Sequence, residues 1–120
     1  MNNVLIECVP NISEGRDLDI INSIVDSVRE IEGVKVLGCE PDSDYNRTVI
    51  TIAGDPVSVT KGAHAIIIKS LELIDMRRHS GNHPRMGAVD VCPFVPLTAD
   101  SMSHCIQSAK DLSELIGEKI

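Results

Sequence analysis

Apolar residues are grouped along this chain in runs of differing period, and each period predicts an element. Val4 to Val9 is a short apolar run stopped by Pro10, which reads as a strand. From Asp17 onward, Leu18, Ile21, Val25, Val28 and Ile31 recur at spacings of three and four, which predicts an amphipathic helix closed by Gly33. Val34 to Cys39 reads as a second strand, Glu40 to Asn46 as a polar turn, and the β-branched stretch Arg47 to Ala53 as a third strand. Gly54-Asp55-Pro56 supplies an N-cap aspartate and a proline at the first helical position, and a second helix is predicted to about Asp75. Val89 to Val95 reads as a fourth strand. Thr98 or Asp100 can cap a last helix, with Met102, Cys105, Ile106, Ala109, Leu112 and Ile116 on one face.

This order predicts an α+β domain. Its first six elements match the ferredoxin-like βαββαβ arrangement: an antiparallel sheet in the order 4-1-3-2, helices on one face, and here an extra C-terminal helix. In that arrangement the exit of the first strand, the link between the second and third, and the entry to the fourth share one edge of the sheet. Those places hold Pro10 to Arg16, Glu40 to Arg47 and His79 to Arg85, three polar loops that would meet at a candidate site.

Composition narrows the partners. The 120 residues carry 11 basic and 18 acidic side chains, a net charge of −7, so nucleic acid and anionic membrane surfaces are poor partners for the surface as a whole. One Tyr, one Phe and no Trp argue against stacking on bases. No stretch reads as a membrane span or a signal peptide. The four cysteines lack CxxC spacing and are expected as reduced thiols in a cytoplasmic protein.

The basic residues concentrate in RRHSGNHPR, ahead of the fourth strand. His79 and His83 have helical metal-ligand spacing, but Gly81 weakens a helix there and Pro84 biases His83 toward extended backbone, so no metal is expected. Cys8 and Cys92 fall in apolar strands, where thiols are usually inert packing. Phosphate-binding glycine motifs are absent from the sequence. A loop histidine suits general acid–base work, its ordinary pKa lying near neutrality. The bland alternative makes the histidines solvated, the arginines partners of a helix C-terminus, and Asp42, Asp44 and Asn46 simple turn formers. His64 and His104 stand on helices without companions and read as structural.

Three strings together, ECVPNISEGRD at 7–17, DSDYNRTVITIAG at 42–54 and HSGNHPRMGAVDVCPFVPL at 79–97, resemble the formiminotransferase family. The resemblance implies transfer of a formimidoyl group between N-formimidoyl-L-glutamate and tetrahydrofolate, the co-substrate, in histidine degradation. It implies that His83, in the HPR string, is the catalytic histidine. Asn11, Asp42, Asp44, Asn46, Arg47, His79 and Arg85 are the expected substrate- and folate-binding residues: a carboxylate for the cationic amidine, and cations for the carboxylates of glutamate and folate.

The resemblance makes residues 1–120 the N-terminal subdomain of a two-subdomain enzyme with folate in the cleft between the halves. A second subdomain or a partner chain is then required. Alone, this half is expected to expose an apolar patch and to form a homo-oligomer. The alternatives are a catalytically silent half that binds folate or assembles with another chain, and a structural subunit without ligand.

Overall fold

The computed structural model describes residues 4–74, 89–99 and 101–119. Among the described residues nine elements follow one another: β1 (Ile6–Cys8), β2 (Asn11–Ile12), α1 (Leu18–Arg29), β3 (Val34–Asp42), β4 (Arg47–Gly54), α2 (Pro56–Leu73), β5 (Val89–Val91), β6 (Phe94–Pro96) and α3 (Met102–Lys119). The fold is α+β, one antiparallel sheet with three helices.

β4 is the spine of the sheet. It pairs with β3 along one side and with both β1 and β2 along the other. β6 then pairs with β1, and β5 with β2, so the expected neighbourhood of the first and last strand regions is present. The strand predicted over Val89 to Val95 is in two pieces, and the first strand, expected to stop at Pro10, resumes beyond it as β2 in what the sequence reads as a polar loop. Pro10 separates β1 from β2, and Cys92-Pro93 separates β5 from β6. A proline has no N–H to give a ladder, but its carbonyl still accepts. Pro10 O receives Ile50 N–H at 3.0 Å, and Pro93 O receives Val9 N–H at 3.0 Å. The two breaks therefore face each other and pairing resumes beyond them.

Alternation along the strands decides which face is covered. Ile6, Cys8, Ile12, Thr48, Ile50 and Ile52 are fully buried, and all but Thr48 belong to one apolar core with Ile21, Ile24, Val25 and Val28 of α1 and Val59, Ala63, Ile66 and Ile67 of α2. The helices begin where the sequence signals lie. Asp17 caps α1 by accepting from Asp19 and Ile20 N–H, and Asp55 caps α2 by accepting from Ser58 N–H at 2.9 Å. Gly33 has φ +89°, which an L side chain rarely adopts, and turns the chain into β3.

Several expectations need correction. β3 runs on through Glu40, Pro41 and Asp42, because the hairpin register continues to the Asp42–Arg47 pair. Leu18 is exposed, and Ile24 takes its place in the buried stripe of α1. On α3, Met102, Ile106 and Ala109 face outward while Cys105, Ser108 and Leu112 are buried, because among the described residues α3 packs mainly on α2 and β6, which contact one narrow stripe. Thr98 does not cap α3 with its hydroxyl. That oxygen accepts from Leu5 N–H at 3.1 Å, and Ser101, immediately before the helix, accepts Cys105 N–H on its carbonyl. Asp100 lies outside the described residues.

Candidate active site

Two of the three polar loops are built into one another. Asn46 closes the β3–β4 hairpin with φ 52°, a left-handed conformation that asparagine tolerates better than most residues. This aims its side chain at the first loop, where Oδ1 accepts Gly15 N–H at 2.9 Å. Gly15 is buried against the Asp42 carbonyl and the Arg47 backbone, and a methyl group there would overlap both. Arg16 Nε donates to Ser43 O at 2.8 Å, and the buried Thr48 hydroxyl donates to Glu14 O. Glu14 in turn accepts from Arg16 and Asp17 N–H, which fixes the approach to α1.

The predicted residues can be placed one by one. Asp42 ends β3, exposed, and its Oδ1 accepts from Asp44 and Tyr45 N–H at 3.0 and 3.3 Å, so part of its role is to shape the turn. Asp44 is exposed within that turn, and Arg47, also exposed, stands opposite Asp42 in the ladder. Asn11 is half-buried in β2 between Val49 and Val91, on the sheet face away from its buried neighbour Ile12. Asp42, Asp44, Asn46 and Arg47 thus gather at the hairpin end, with Asn11 one step into the sheet. His79, His83 and Arg85 lie outside the described residues. β5 begins at Val89 opposite Ile12, and Ile12 lies opposite Thr48 at this same end.

Sequence reasoning passed over Gly15, Arg16 and Thr48. Only the glycine carried a local signal, a lone small residue between two charged ones in EGR. A surface hollow of about 550 Å³ beside the joined loops is lined by Glu14, Arg16, Asp17, Leu18 and Asp19. With three carboxylates to one arginine, it disfavours an anionic ligand. Among the described residues no three His, Cys, Asp or Glu side chains are grouped to hold a metal. No described helix is long and apolar enough to cross a membrane.

Comparison with known proteins decides the family. The description "Formiminotransferase domain, N-terminal subdomain" matches residues 5–120. The chain belongs to the formiminotransferase family. It is 47% identical over 116 residues to a glutamate formimidoyltransferase of Thermoplasma acidophilum, covering 97% of this chain and 38% of that protein. It is 46% identical to a formimidoyltransferase-cyclodeaminase of Dictyostelium discoideum, covering 98% of this chain and 22% of that protein. A glutamate formimidoyltransferase of Streptococcus pyogenes is 39% identical, with 97% and 39% covered. The chain therefore spans about two fifths or less of these relatives. The joined loops lie in the first two of the strings that resemble this family.

Proposed function

We propose that this chain is the N-terminal half of a glutamate formimidoyltransferase, and that its polar sheet edge forms one wall of the cleft where the formimidoyl group passes between glutamate and tetrahydrofolate. The observation that carries this reading is the family match over nearly the whole chain, to relatives named for that activity. The interlocked loops at 10–17 and 42–48 support it, since a transfer site needs fixed polar groups. The sheet pairings support the finer ferredoxin-like order 4-1-3-2, and the unbridged cysteines support a cytoplasmic setting.

In this reading His83, six positions before Val89 in the sequence, is the acid–base group. It takes a proton from the attacking nitrogen and returns one to the departing amine. The amidine being transferred is cationic, and an exposed carboxylate at the hairpin end stabilises it. Asp44 suits this better than Asp42, whose Oδ1 is committed to turn amides. Arg47, with Arg85 and His79, takes substrate carboxylates, and Asn11 and Asn46 supply neutral hydrogen bonds along the wall. No metal enters this chemistry.

The test is a formimidoyl-transfer assay on this chain alone, on this chain with the remaining part of a longer relative, and on the whole relative. Activity only when both parts are present supports the half-site. Turnover by the isolated chain equal to the whole relative would overturn the half-site, and no turnover by any combination containing this chain would favour a silent assembly subunit.

A further inference from the structure

Cys8 and Cys92 play no part in the transfer proposed above, yet the fold brings them together. Their Sγ atoms lie 3.4 Å apart, although the residues are separated by 84 positions in the chain. Cys8 faces Phe94 in the β1–β6 ladder, and Cys92 lies two residues before Phe94, on the same side of the sheet. They are diagonal cross-strand neighbours at the facing proline breaks. All four cysteines are free, so the pair is a dithiol. A disulfide needs sulfurs about 2 Å apart, so the 3.4 Å pair must close further, by side-chain rotation and by backbone adjustment at the two proline breaks.

We propose that Cys8 and Cys92 form a site of reversible oxidation, in which a peroxide converts the dithiol to a disulfide that pins the first strand region to the last. Access and acidity assign the roles. Cys92 is half-buried at the break between β5 and β6, whereas Cys8 is fully enclosed. The hydrogen bond between the two sulfurs lowers the Cys92 thiol in pKa and raises the Cys8 thiol, which burial raises further. Cys92 as thiolate attacks one peroxide oxygen and breaks the O–O bond, giving a sulfenic acid and hydroxide. Cys8 then attacks the Cys92 sulfur and displaces the second hydroxide. With the two thiol protons, the products are one disulfide and two waters, and the peroxide has gained the two electrons the sulfurs lost. A half-buried sulfur favours an oxidant as small as a peroxide over a bulky disulfide. Among the described residues neither Cys39 nor Cys105 shows a sulfur–sulfur hydrogen bond of this kind, and desolvation raises both thiols.

The test treats the folded protein with hydrogen peroxide, alkylates the remaining thiols after denaturation, and maps the peptides. The expected product is a linked pair of Cys8 and Cys92 peptides, lighter by two hydrogens than the reduced pair and separated again by dithiothreitol. Cys39 and Cys105 should stay open to alkylation. Cys92→Ser should abolish the link and leave Cys8 alkylated, while Cys39→Ser should still form it. Closing so long a loop should raise the melting temperature of the wild-type chain by roughly several degrees on oxidation, with no rise in Cys92→Ser. Irreversible oxidation of Cys92 beside an alkylated Cys8, or bridges formed only between chains, would overturn the proposal.

Discussion

Gly15 and Asn46 join the two described loops of the candidate site, and each can be tested by substitution. Gly15→Ala forces a methyl group into the Asp42 and Arg47 backbone. It is expected to cost about 1–3 kcal/mol in urea unfolding, the usual range for overpacking. Asn46→Ala loses the acceptor for Gly15 N–H and strains a left-handed φ, whereas Asn46→Gly loses the acceptor without that strain. Unfolding midpoints should therefore rank wild type above Asn46→Gly above Asn46→Ala. If the two variants are equal, φ contributes nothing. His83 answers to a different measurement. In a protein carrying both halves, His83→Ala should lower kcat by about a hundredfold or more while folate binding and melting temperature hold, the signature of a positioned acid–base group. His79→Ala should act mainly on KM. Polar loops and their motifs were legible in the sequence. The bond from Gly15 to Asn46 was not, since it spans 31 positions and depends on a backbone conformation that no periodicity reports.

Among the elements, those with chemical punctuation were legible and those shaped by neighbours were not. Asp55-Pro56 announces α2 and Asp17 announces α1, and both caps form. The outward turn of Met102 and Ile106 on α3 depends on how little of that helix α2 and β6 cover, which a local pattern does not encode. Pro10 was legible as an end to pairing but not as an interruption, because its carbonyl keeps the ladder going. The α2 cap carries a pH prediction. Burial alone would raise the Asp55 pKa, but hydrogen bonds from the Ser58 hydroxyl and N–H outweigh it and hold the carboxyl below its ordinary value. A carboxylate lowered in the folded state stabilises above its unfolded pKa, and that contribution is lost as pH falls through the folded value. Asp55→Ala should cost about 1 kcal/mol near neutrality. Urea midpoints of variant and wild type should converge in acid below the ordinary aspartate range, and a constant gap would remove the charge from the explanation.

At the scale of the whole molecule, the described residues cover the sheet on one face only. Leu5, Leu37, Val95 and Leu97 are exposed, and the strand positions they share with Val9, Val49 and Ala53 alternate with the buried set. A face of this kind favours association. Sedimentation of the chain alone should show a concentration-dependent dimer, and Leu37→Lys with Val95→Lys should return it to monomer. If the double variant still dimerises, another surface is responsible. The order in which strands join the sheet has a further consequence, for biosynthesis. β1 and β2 emerge first, yet they lie between β4 and the last two strands. The β3–β4 hairpin is local and can form early, giving β1 and β2 a partner on one side. Their other edge stays open until residues 89–96 have left the ribosome, a long wait for an apolar segment. Cys8 is a natural clock for that wait. Pulse alkylation of stalled nascent chains should find its thiol reactive in chains ending before Val89 and protected once Pro96 has emerged. That pattern would show closure of this sheet on the ribosome to be set by the pace of translation.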